Sequence, residues 1–160
     1  MLRFVDDALT IIVLTNLDVP SGSQPGVLAR GIAGLLKPQY QPLDMLTPQP
    51  DPAPQTTREI NALLTEMAQE RDAPSMTAAH RTFYNSLPPP LRRDDARLLK
   101  TLKSLTYLTS DDVAGRGFKR LGETISRIVY YKGELESKTF YFTFWLTKEG
   151  QVAYLRFYSA

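Results

Sequence analysis

Few residues in this chain could do chemistry, and their spacing limits what chemistry it would be. The one histidine, His80, lies in "MTAAHRTFYN". A serine–histidine–aspartate arrangement would have to use it, but a lone histidine on a short helix more often packs or faces solvent. Asp111-Asp112 is a pair of carboxylates that a cation could use. No third acidic ligand lies close in sequence, so turn chemistry is expected there. Asp94-Asp95 beside Arg92-Arg93 reads as ion pairing along a helix. The stretch "GRGFKRLG", Gly115 to Gly122, has glycines and basic side chains but no following helix to cradle a phosphate, which points to a hairpin loop. With no cysteine and one histidine, disulfides, thiol catalysis, zinc–thiolate sites and multi-histidine metal clusters are excluded. No set of catalytic, cofactor-binding or metal-ligating residues emerges.

The informative pattern is aromatic. From Thr139 to Thr147 side chains alternate in type, with Phe140, Phe142, Phe144 and Leu146 on one face and Tyr141, Thr143, Trp145 and Thr147 on the other. In "QVAYLRFYS", Ala153, Leu155 and Phe157 join the first set, and Tyr154, Arg156 and Tyr158 the second. The Phe/Leu face should pack on helices. The candidate interface or pocket is then Tyr141, Trp145, Tyr154, Arg156 and Tyr158, because amphipathic aromatics and arginine suit contact surfaces. A strongly bent sheet that buries its own aromatics is the competing expectation, and it leaves room for a small ligand pocket at the concave face.

These strands follow a helical region. Thr56-Thr57-Arg58-Glu59 has the pattern of a capping box ahead of Ile60, Leu63, Leu64 and Met67 at helical spacing. A short helix follows from Thr77 to Tyr84. A third is expected from about Leu91, with Leu98, Leu99, Leu102 and Leu105 facing inward. Helices first and antiparallel strands afterwards is an α+β order: about three helices on a four-stranded antiparallel sheet, with Lys148-Glu149-Gly150 turning the last hairpin. Upstream, Leu9 to Leu14 reads as a strand buried on both faces, with no partner before it. "DVPSGSQPG" is a turn, and Leu28, Ile32, Leu35 and Leu36 are the stripe of a helix that Pro38 ends. Six prolines from Pro38 to Pro54 mark a tether. The expected domains are thus 1–37, a linker 38–55, and 56–160.

At 160 residues with 42% apolar and 22% charged side chains, the chain is long enough for one ordinary core. Its 19 basic and 17 acidic residues give a net charge of +2, too small a footprint for nucleic acid or an anionic membrane. No secretory signal follows Met1, and no apolar run is long enough to span a bilayer.

The order of "TIIVLTN", a glycine-bearing turn and the helix "VLARGIAGLL" resembles the C-terminal end of beta-lactamase-related serine hydrolases, the family of class C beta-lactamases and penicillin-binding proteins. The resemblance covers about residues 4–37. In such a protein the strand would lie centrally in a sheet, and 56–160 would be an accessory domain similar to the cystatin-like or nuclear-transport-factor-2-like fold. The family's reactive elements do not carry over. No serine here has lysine three positions on; "YNS" at Tyr84-Asn85-Ser86 falls in the second domain; Lys138-Thr139 continues into Phe140 where glycine is required. The resemblance therefore implies a non-catalytic C-terminal module without cofactor. Its partner would be the hydrolase domain or a second copy of the chain. The alternative is a free-standing cystatin-like domain that binds a small molecule or dimerises. Relatives of the family are usually exported, and this chain carries no segment that directs it.

Overall fold

The computed structural model describes residues 2–4, 8–14, 25–37, 40–136 and 138–159. The chain divides into two compact units, Met1–Thr47 and Pro48–Ala160.

In the first unit the leading strand is not a covered central one. Strand β1, Leu2–Phe4, pairs antiparallel with β2, Leu9–Ile11, so a partner does precede it. Ile11 is buried, but Ile12 and Leu14 are 62% and 90% exposed, and the strand stops before them. The run of apolar residues fixed their type and not their cover. The Thr15-Asn16 end of "VLTN" and the turn after it lie outside the described residues. Helix α1, Pro25–Leu36, forms as its periodicity predicts, yet a different stripe is buried. Ala29 and Ala33 join Ile11 in a small cluster with Leu9, Val13 and Tyr40, while Leu28, Ile32, Leu35 and Leu36 are exposed. Small side chains win this face because the chain comes so close. A Cβ on Gly34 would sit 2.9 Å from the Gln41 Cα.

The second unit is α+β. Helix α2, Pro54–Ala68, starts two residues ahead of the expected box, with Pro54 in the first turn where its missing N–H costs nothing. Asp51 fixes the turn that leads into the helix: its carboxylate accepts from the Ala53 N–H at 2.8 Å and from the Thr57 hydroxyl at 2.6 Å. Thr57 has one proton and has given it to Asp51, so the Tyr131 hydroxyl 2.7 Å away donates to Thr57. This chain of bonds pins the helix start to the sheet. Helix α3, Ala78–Ser86, has Thr77 as N-cap, accepting from the His80 N–H at 3.2 Å. Helix α4, Pro89–Leu99, again opens on proline. It is shorter than expected: Leu102 and Leu105 belong to the next strand, because an i, i+3 leucine spacing does not distinguish a helix end from a strand start once Thr101 turns the chain.

Strand β3, Leu102–Asp112, leads into a small hairpin, β4 (Lys119–Arg120) and β5 (Glu123–Thr124), and then β6 (Arg127–Leu135), β7 (Thr139–Leu146) and β8 (Val152–Ser159). The main sheet is open, four-stranded and antiparallel, in the order β3-β6-β7-β8. The expected faces are present. Phe142, Phe144, Leu146 and Leu155 are buried with Ile60, Leu63, Leu64 and Met67 of α2 in one core. Each such side chain contributes about 1.5–3 kcal/mol when fully buried. A register shift between Trp145 and Leu146 sets Val152 opposite Leu146 and brings it into the core.

Candidate functional site

Period-two alternation in β7 and β8 sends five of the candidate side chains to the sheet face away from the core, and the register pairs them. Tyr141 lies opposite Tyr158, Thr143 opposite Arg156 and Trp145 opposite Tyr154. The Tyr141 and Tyr158 rings have centroids 5.9 Å apart, those of Trp145 and Tyr154 5.3 Å apart. Burial grades across the set: Tyr141 is buried, Trp145 and Tyr154 are half-buried, Arg156 is exposed and Tyr158 is 44% exposed.

Three residues outside this pattern pack around Tyr154. The guanidinium of Arg120, carried by β4, sits 4.2 Å from the Tyr154 ring centroid and 5.4 Å from that of Trp145. His80 and Phe83 of α3 each place a ring centroid 5.8 Å from Tyr154. Tyr154 is thus enclosed by Trp145, Arg120, His80 and Phe83. Nothing local in the sequence announces this. The only signal was the basic character of the glycine-bearing loop, and the contact joins residues far apart in the chain.

His80 is a packing residue. Its imidazole is buried, and Nδ1 lies 3.1 Å from the Val152 carbonyl, which requires the proton on Nδ1. Burial lowers its pKa below 6.5, partly offset by that hydrogen bond. The neutral ring faces no serine or carboxylate hydrogen-bond partner among the described residues.

The other chemical candidates are occupied structurally. Asp111 accepts from the Tyr130 hydroxyl at 2.7 Å, and Asp112 accepts from the Ala114 N–H at 2.9 Å in a turn. Gly115, Gly117 and Gly122 all adopt positive φ in the β3–β6 connection, and the β4–β5 hairpin, not a helix, follows the first two. Tyr84 lies in the last turn of α3, with burial pushing its phenol up to about 12, and Ser86 donates to the Phe83 carbonyl at 2.6 Å. Thr139 donates to Glu134 at 3.1 Å. Among the described residues no three histidine, aspartate or glutamate side chains gather as metal ligands, and no helix is long and apolar enough to cross a membrane.

Two cavities lie away from the outer face of β7 and β8. An open groove of about 320 Å³ runs between α2, α4 and β3, with Asn61, Thr65, Lys100 and Lys103 among its mostly polar walls. A smaller cavity of about 50 Å³ lies where α2, α3 and α4 meet. Compared with family models, curated proteins and solved structures, the chain matches none of them.

Proposed function

We propose that the chain is a non-catalytic interaction module whose contact surface is the outer face of β7 and β8, and that its partner there is a second copy of the chain. One observation supports this above the others: anchored aromatics, Trp145 and Tyr154, are flanked by exposed Arg156 and Tyr158 on a strand at the edge of the sheet. Such an arrangement of rigid aromatic anchors with an arginine rim has the composition of interface hot spots. Charge does not oppose self-association, since the net value is only +2. A two-fold pairing that brought Arg156 of one copy against Tyr158 of the other would add a favourable cation–ring contact.

The link to beta-lactamase-related serine hydrolases belongs to the same proposal and rests on the "TIIVLTN" stretch and the helix after it. The chain has no serine followed three residues later by lysine, which is why the module is assigned no hydrolysis of its own.

Sedimentation equilibrium tests the reading. The account expects a dimer at micromolar to tens-of-micromolar concentration. It also expects Arg156→Glu combined with Tyr158→Ala to yield a monomer with unchanged far-ultraviolet circular dichroism. A wild-type chain that stays monomeric throughout that range, or a variant that dimerises as well as the wild type, refutes it.

A further inference from the structure

An open sheet has two edges, and each turns unbonded N–H and C=O groups outward unless something closes it. The β3 edge is obstructed. The Gln49 N–H donates to the Tyr107 carbonyl at 3.3 Å, which holds the chain there, and Pro48 and Pro50 on either side have no N–H to extend a ladder. Register shifts between Leu102 and Ser104 and between Tyr107 and Thr109 break the edge further, and Asp111-Asp112 ends it.

The start of β8 is covered as well. The Val152 carbonyl accepts from the Thr77 N–H at 3.1 Å, the Val152 N–H donates to the Ser75 carbonyl at 2.7 Å, and His80 and Phe83 of α3 flank Tyr154. Past that point the edge opens. Leu146 turns its carbonyl toward β6, accepting from the Ser126 N–H at 2.9 Å, so its neighbour Trp145 turns toward β8. Alternation then aims the backbone groups of Tyr154 and Arg156 at β7 and those of Leu155 and Phe157 outward. Among the described residues no backbone hydrogen bond reaches Leu155 or Phe157 from that side. Exposure agrees. Val152 and Ala153 are 2% and 0% exposed, whereas Leu155 is 9% exposed and Phe157 half-buried, although Phe144 and Phe142 opposite them are fully buried. From Leu155 to Ser159 no proline, lysine or bulge guards the edge.

A second copy of β8 fits this edge in one register, because outward residues must face outward residues for bonds to form. A two-fold axis at Leu155 lays the other strand across Val152 and Ala153, where Ser75 and Thr77 already bond. An axis at Arg156 sets two arginines directly opposite each other. An axis at Tyr158 leaves only Phe157 and Ser159 to bond. An axis at Phe157 pairs Phe157 with Phe157, Leu155 with Ser159 and Arg156 with Tyr158, so each guanidinium meets a tyrosine ring. We infer, resting on the self-association proposed above, that β8 pairs antiparallel with β8 of a second copy about an axis at Phe157. The two sheets then join edge to edge.

The chain has no cysteine, so one introduced thiol per copy reports the register. Arg156 and Tyr158 would form a pair that exchanges no backbone bonds, with Cα atoms about 4.5 Å apart and within disulfide reach. An equimolar mixture of Arg156→Cys and Tyr158→Cys, oxidised with diamide, should give a mixed disulfide dimer at least tenfold more abundant than the dimer of either variant alone. Arg156→Cys that cross-links alone as well as the mixture does would move the axis to Arg156 and overturn the inference. Where the cysteines themselves weaken association, amide exchange of the wild-type chain decides: the Leu155 and Phe157 N–H groups should slow at least tenfold between monomer and dimer. A wild-type chain that sediments as a dimer with those two amides unchanged overturns edge pairing and leaves contact through the sheet face standing. A chain that stays monomeric overturns both.

Discussion

Gly133→Ala should be far more damaging than its single methyl suggests. Gly133 lies mid-strand in β6, opposite Leu105 in β3 and Phe140 in β7. A Cβ there would stand 2.4 Å from Cε2 of Phe142 and 3.0 Å from Cδ1 of Leu102. Carbon atoms rest at about 3.5–4.0 Å, so the ring would have to retreat by about 1 Å. It has nowhere to go: Phe142 is fully buried, with Phe157 and Phe144 centroids 5.4 and 6.3 Å away. Overpacking of this kind costs roughly 1–3 kcal/mol, and alanine regains roughly 0.5–1 kcal/mol over glycine in a strand. The close contact puts the cost at the upper end, for a net loss of about 2 kcal/mol. For a unit of this size that is a fall in Tm of roughly 8 °C. Urea unfolding followed through Trp145, the only tryptophan, gives the midpoint shift at unchanged slope. Adding Phe142→Leu should recover part of the loss. A change below about 0.5 kcal/mol, or no recovery, would refute the packing argument.

Further consequences follow from the same contacts. Tyr131→Phe removes the hydroxyl that reaches Thr57 and should cost about 1 kcal/mol in urea unfolding, with the fold retained. Acid should weaken the protein early. His80 has a folded pKa below its unfolded 6.5, so the unfolded chain binds more protons between those values. Its contribution is therefore full above pH 6.5 and lost as pH falls through the folded value. The carboxylates of Glu66 and Glu134, held low by hydrogen bonds to Arg71 and Lys132, lose theirs only below about 4.5. Urea midpoints measured from pH 7 to 5 should fall in the wild type and stay nearly level in His80→Gln. Arg120→Ala should alter Trp145 emission and cost about 0.5–1 kcal/mol, since the guanidinium covers both the Trp145 and Tyr154 rings.

The second unit was legible in the sequence because its signals are local and its periods clean. Alternating Phe140 to Leu146 placed one face on α2, and Lys148-Glu149-Gly150 made the final turn, with Gly150 at φ 82. The first unit was not, because apolar residues report burial only when something covers them. Leu28, Ile32, Leu35 and Leu36 have the right spacing, yet the chain's approach at Gln41 selected the small face of Ala29 and Ala33. Both helices start ahead of their expected positions: at Pro54, where proline in the first turn outweighed the threonine–glutamate pattern, and at Pro89, two residues before Leu91. Of the candidate surface, the five β7 and β8 residues follow from alternation alone. Arg120, His80 and Phe83 reach Tyr154 only through the fold.

Amide hydrogen exchange as a function of protein concentration tests the central claim most directly, because it locates a contact surface without altering a residue. If the outer face of β7 and β8 joins two copies, protection from Tyr154 to Phe157 should rise as the chain is concentrated while β3, at the opposite edge, stays constant. Protection in β8 that does not change with concentration, or that rises only in β3, contradicts the account.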